Sequence, residues 1–178
     1  MVKNIIFYGN PLLRKKALWV KNIDRDIKDL IRDLKHTIKT EGGVGLAANQ
    51  IGILKRVIVL HEIENEEEKI YPLINPEIIK KEGVQTDSEG CLSFPDLYIP
   101  ITRSERVIVT YLDENNNLVE KEFSGLLARA IQHEVDHLDG ILFIDRVNPD
   151  DEEVKDIIKK WKREFMLSKV VKSKVGGV

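Results

Sequence analysis

The chain has 178 residues, 42% of them hydrophobic and 33% charged, with a single cysteine; that length suffices for one domain with its own core, so neither a disulfide staple nor a second domain is required. Basic and acidic side chains nearly balance, 28 against 30 for a formal net charge of -2, which excludes both a strongly cationic nucleic-acid binder and a disordered, charge-dominated chain. The opening MVKNIIFYGNPLLRKK has no apolar signal core, and no run approaches the ~18 apolar residues of a membrane span, so a cytoplasmic location without membrane attachment is expected and the lone cysteine should stay a thiol there.

Taken in chain order, DRDIKDLIRDLKHTIKTEGG sets Ile27, Leu30, Ile31, Leu34 and Ile38 at helical spacing and ends on Gly42 and Gly43, which predicts an amphipathic helix with a glycine stop. GVGLAANQIG reads as a glycine-punctuated loop and LKRVIVL as a strand. The acidic stretch EIENEEEK at 62–69 carries too much like charge to pack and reads as an exposed loop. IYPLINPEII is strand-like but broken by Pro72 and Pro76, and ERVIVTYLDENNNLVEKEF reads as a hairpin turning at DENNN. SGLLARAIQHEVDHLDG predicts a second helix, with Ser124 as N-cap and Gly140 as stop, and a short apolar strand, ILFI, follows it. Past Asp150, an apolar stripe of Val154, Ile157, Ile158, Trp161 and Phe165 among lysines predicts a closing helix that docks on the body. Residues 151–178 carry 8 Lys/Arg against 5 Asp/Glu, a basic end that suits either a solvated helix face or contact with an anionic surface such as RNA.

Chemistry concentrates at His133-Glu134-Val135-Asp136-His137. Residues four apart on a helix differ by about 40° in azimuth and about 6 Å in height, so both imidazoles leave one face and can grip one ion. Glu134, turned by about 100° from His133, is able to reach a water on that ion without being a ligand. Two histidines leave a catalytic ion short of a ligand, since such sites usually have three from protein and keep one position open. No histidine follows His137, which makes Cys91 in EGCLSFP the leading candidate; a buried hydrophobe and a nucleophile remain open as readings of that residue. Gln50 offers a neutral amide that can donate to a developing oxyanion.

Three segments, GVGLAANQ at 43–50, EGCLS at 89–93 and QHEVDH at 132–137, resemble in order and separation the signature motifs of the peptide deformylases. The resemblance implies an α+β fold of antiparallel sheets around a central metal-binding helix, formed by a single catalytic domain over 1–178 with 151–178 as a C-terminal helical extension. It implies removal of the formyl group from the N-terminal methionine of new polypeptides, with Cys91, His133 and His137 as metal ligands and Glu134 as general acid/base. Gln50 and the backbone N–H of Leu92 would bind the oxyanion, and Gly45 would bring its backbone to the substrate. The implied ion is iron(II), with zinc, nickel or cobalt as replacements, and the implied partners are N-formylmethionyl nascent peptides and, through the extension, the ribosome; DNA is not expected. Val44, Leu126, Ala130 and His133 are expected to wall a slot for the methionine side chain, Arg129 to stand at its mouth, and Arg103 to pair with Glu89 behind the cysteine. The readings set against this one are a zinc peptidase that cuts internal peptide bonds and a structural metal protein without turnover.

Overall fold

A computed structural model describes residues 1–176 of the chain, with side chains to Lys172. The elements are α1 (Arg25–Glu41), β1 (Gly45–Ala47), β2 (Val57–Glu64), β3 (Glu67–Glu82), β4 (Gln85–Cys91), β5 (Phe94–Arg103), β6 (Arg106–Leu112), β7 (Leu118–Ser124), α2 (Gly125–Leu138) and α3 (Glu152–Gly176). One antiparallel sheet runs in the order β1-β2-β3-β6-β7, and β4 and β5 form a separate two-stranded ribbon. Among the described residues no helix is long and apolar enough to cross a membrane.

Alternation along β2 explains how the large sheet is covered on both faces. Ile58 and Leu60 point with Val107, Val109 and Phe123 toward Ala128, Ile131 and Leu138 of α2. Val57 and Val59 point the other way, toward Ile27, Leu30, Leu34 and Ile38 of α1, as the two-residue side-chain period of a strand demands. The helix α1 starts where the Asp24 carboxylate accepts from the Ile27 amide at 3.0 Å, satisfying one free donor of the first turn. A third cluster joins Leu97, Ile99 and Ile101 of β5 to Leu142, Phe143, Ile144, Val154 and Ile158. The fold is therefore α+β, with α2 held between the large sheet and the β4–β5 ribbon, as expected from the sequence.

Several local expectations are corrected. The acidic stretch at 62–69 is a tight hairpin: β2 turns into β3 at Asn65 and Glu66, both at positive φ (51° and 66°), and Glu62 faces Lys69 across it. Like charge was misleading because strand side chains alternate outward and such pairs sit in water. The prolines do not break β3 either. Pro72 lies where β3 is paired to β2 alone, and Pro76 falls in a register shift between Ile74 and Glu77 opposite β6, the edge and bulge positions that a missing N–H tolerates. GVGLAANQIG is not a plain loop but the edge strand β1 followed by a 3₁₀ turn, Ala48–Ile51. ILFI is not a strand; Phe143–Arg146 is a 3₁₀ turn in which the Asp145 carboxylate accepts from the Leu142 amide at 3.0 Å.

Ser124 does occupy the N-cap of α2, although its side chain makes no capping bond. The helix gives way to Gly140 at φ 72°, and any Cβ there would lie 2.4 Å from the Arg14 carbonyl oxygen. Of the predicted closing stripe, Val154 and Ile158 are buried and Trp161 packs on the body, whereas Ile157 is exposed. Residues 177 and 178 of the expected extension lie outside the described residues.

Candidate metal centre

The helix α2 presents His133 and His137 one turn apart, with their Nε2 atoms 3.2 Å from each other. The ribbon supplies the third group: Cys91 ends β4, opposite Phe94 across the turn, and its Sγ is 3.4 Å from His137 Nε2. All three donor atoms lie within 4.8 Å of one another, and both histidines are buried. A tetrahedral ion bound at about 2.0–2.1 Å to nitrogen and about 2.3 Å to sulfur keeps such atoms roughly 3.3–3.6 Å apart. The spacing on the protein therefore fits one divalent ion, and the donor set of one sulfur and two imidazoles suits a first-row transition metal.

A buried charge network orients this set. Glu89, also on β4, accepts from His133 Nδ1 at 2.7 Å, which turns Nε2 toward His137 and Cys91. Burial would raise the Glu89 carboxyl, but hydrogen bonds from His133 and Arg103 hold it well below the usual carboxylate range. Arg103 grips it through two bonds, of 3.1 and 2.7 Å, and its remaining amino group bonds Asp136 at 2.7 Å. Asp136 is shared in turn with Arg146 at 2.8 Å. The chain of alternating charge thus runs from the surface to the metal-facing imidazole. Burial depresses both histidines, yet the Cys91 sulfur and Glu89 keep His133 well above its ordinary value, while His137, beside His133, falls well below.

Glu134 sits next to the ligands without joining them. Burial pushes its carboxyl up to about 7, and Oε2 has no hydrogen-bond partner among the described residues. Its side chain lies so close to β1 that a Cβ on Gly45 would fall 2.8 Å from Glu134 Cγ and 3.0 Å from Oε1, so any larger residue there must displace the Glu134 side chain. Gln50 accepts from the Ala47 amide at 3.0 Å, which aims its amino group at Cys91 Sγ, 3.5 Å away, and at Ser93 Oγ, 3.2 Å away. A cleft of ≈ 720 Å³ opens on this group, lined by Gly45, Gln50, Cys91, Leu92, His133 and Glu134, with His137 buried beneath.

Val44, Leu126 and Ala130 line the same cleft. Arg103 pairs with Glu89 as expected, and Arg129 lines the cleft, though not as a free charge at its mouth. It is 4% exposed and donates to Glu89 at 3.0 Å and to the Ile101 carbonyl at 2.8 Å. Its guanidinium is drawn inward because a buried carboxylate with four acceptor sites takes more than one cation. Sequence reasoning missed Ser93, Asp136 and Arg146. Asp136, inside the histidine motif and one position from a ligand, carried a signal that could have been used.

Comparison with known proteins gives one answer. A sequence model of the family described as Polypeptide deformylase matches residues 2–153. A peptide deformylase of Thermodesulfovibrio yellowstonii is 47% identical over 143 residues, covering 80% of this chain and 87% of its own. One of Endomicrobium trichonymphae is 44% identical over 170 residues, covering 96% of this chain and 94% of its own. Among solved structures, the peptide deformylase of Thermotoga maritima superposes with a TM-score of 0.78 at 40% identity, covering 84% of this chain and 99% of its own. That of Synechococcus elongatus in complex with actinonin gives 0.82 at 39% identity, covering 90% and 86%.

Proposed function

The chain belongs to the polypeptide deformylase family, and from that premise we propose how its residues remove the formyl group from the N-terminal formylmethionine of new polypeptides. It is a metal-dependent hydrolase. The observation that carries the residue assignment is the convergence of Cys91, His133 and His137 beside a carboxylate that none of them engages. These three hold the ion, which we take to be iron(II), with zinc, nickel or cobalt as replacements, because a thiolate with two imidazoles favours such metals over magnesium or calcium. When bound, the ion supplies Lewis acidity and acidifies water.

Glu134 carries the proton. A carboxyl pushed up to about 7 exchanges a proton readily near neutral pH, so it takes one from the attacking water and hands it to the departing amine nitrogen, leaving formate and a free N-terminus. The Gln50 amide and the Leu92 backbone N–H donate to the formyl oxygen as it gains negative charge, each worth about 3 kcal/mol of barrier where the site excludes water. Gly45 keeps the wall at β1 thin enough for the peptide backbone to lie beside Glu134. Val44, Leu126, Ala130 and the His133 ring enclose the methionine side chain.

Residues 1–178 act as one catalytic domain, with 151–178 as a helical extension that lies beyond the family match from residue 154 on. The lysines of α3 give that extension a basic face, which supports docking on the ribosome in the cytoplasm. The function is tested by supplying metal-loaded protein with an N-formylmethionyl peptide and an internal-peptide-bond substrate. Formate should appear from the first and no cleavage from the second. Cleavage without formate would replace this reading with the peptidase.

A further inference from the structure

The helix α3 reaches the hairpin that carries Cys91 through residues beyond the span matched to the family, 2–153: Val154 and Ile158 share the apolar cluster of β5, and Trp161 reaches the turn itself. Trp161 Nε1 donates to the Pro95 carbonyl at 2.7 Å. Its ring packs on Phe94 with centroids 5.3 Å apart and is stacked by Phe165 from the far side at 4.7 Å. Phe94 is the cross-strand partner of Cys91 and is 1% exposed. Its ring continues the contact to Phe143 at 5.1 Å, and Phe143 meets the His133 imidazole at 5.6 Å. Tyr8 closes the same corner, its amide bonded to the Ser93 carbonyl at 3.0 Å and its ring 5.8 Å from Trp161.

We propose that Trp161 is a positioning residue for the metal centre: α3 straps the Cys91 hairpin, and the tryptophan fixes the turn that sets both the cysteine sulfur and the Leu92 N–H. A two-residue turn between short strands is otherwise held only by its own ladder. Ser93 in the turn is anchored by Gln50 and Tyr8, and Trp161 supplies a further anchor at residues 94 and 95. A helix docked only for stability needs no hydrogen bond to the carbonyl four residues past a metal ligand. The inference rests on the reading of Cys91 as a ligand.

The test compares the nickel-loaded full chain with Trp161→Ala, with Trp161→Phe, which keeps a ring but loses the N–H, and with Val154→Ala, which loosens α3 in the apolar cluster it shares with Leu97, Ile99 and Ile101 of β5 and leaves the contacts to the turn itself in place. Two readouts are followed: nickel loss to excess chelator, seen in the thiolate-to-nickel absorption, and kcat with KM on a formylmethionyl peptide. Trp161→Ala should lose nickel about tenfold faster and lower kcat by a similar factor with KM little changed, as changes behind metal ligands do. Trp161→Phe should fall between it and the parent, and Val154→Ala should match the parent in both while melting at a lower temperature. If Trp161→Ala holds nickel and turns over like the parent, the strap is overturned and the residue is only an anchor. If Trp161→Ala does not fold, Trp161→Phe decides, and parent-like nickel loss and kcat there overturn it. A parent chain that binds no nickel or releases no formate would instead sink the proposed function, and the strap with it.

Discussion

Three residues at the centre, Glu134, Gly45 and Arg129, show how much chemistry depends on single contacts. Glu134 has its proton affinity raised by burial, and it lies beside the cluster of Cys91, His133 and His137 without being part of it. Glu134→Gln should retain its metal and lose about 10²–10⁴-fold in kcat, the usual worth of a positioned acid/base, as measured by formate release alongside metal analysis. Gly45→Ala should also slow turnover, because the added methyl would fall within 3.0 Å of the Glu134 carboxylate and displace it; thermal melting should barely change if the effect is local. At this scale HExxH was legible because its spacing alone sets two imidazoles on one face. The burial of Arg129 was not, since nothing in LLARAIQHE tells an arginine at a cleft mouth from one turned inward to Glu89.

Elements were legible where one period dominates. The stripe of α1 and the hairpin closed by Asp113 carry their signals locally, the latter through Asp113 accepting from the Asn115 and Asn117 amides. By contrast, ILFI is apolar in every residue, so periodicity could not separate a strand from a buried 3₁₀ turn. The path of β3 through two prolines depends on which neighbour is missing at each, which only the assembled sheet decides. The turn at 143–146 is tied to the body by Asp145, which is also bonded to Arg14, with one contact at 3.1 Å. Burial raises the Asp145 carboxyl, but Arg14, the Leu142 amide and Arg146 together more than offset this and hold it below its ordinary value. Its stabilisation is therefore present above the unfolded carboxylate pKa of about 4 and lost as pH falls through the lower folded value. Asp145→Asn should cost less than ~1 kcal/mol at pH 7, because the pair is well exposed to solvent. In urea titrations the difference from the parent should shrink below about pH 4.

Across the whole molecule, the metal centre is where separate layers meet: α2 contributes two ligands, the β4–β5 ribbon the third, and β1 the wall facing Glu134. An ion that binds only this assembled state stabilises it by mass action, so the metal-loaded chain should melt above the chelated one. Arg103→Ala should be costly in either state, up to about 3–5 kcal/mol, because it takes one of two guanidinium partners from the buried Glu89 carboxylate and leaves Asp136 to Arg146 alone, and chemical denaturation reads that directly. The α+β class was foreseeable from the three motifs, whereas the buried chain of charge from Arg146 to His133 joins residues that lie far apart in sequence and became visible only in the folded protein.

The proposed function turns on Cys91, which with His133 and His137 would hold the ion on which formate release depends. It is tested most directly by measuring bound metal and formate together in anaerobically prepared parent and Cys91→Ser chains given an N-formylmethionyl peptide. The parent should release formate in proportion to its metal content, and Cys91→Ser should lose metal and activity together. A Cys91→Ser chain that keeps the parent's metal content and rate, or a metal-loaded parent that releases no formate, would contradict it.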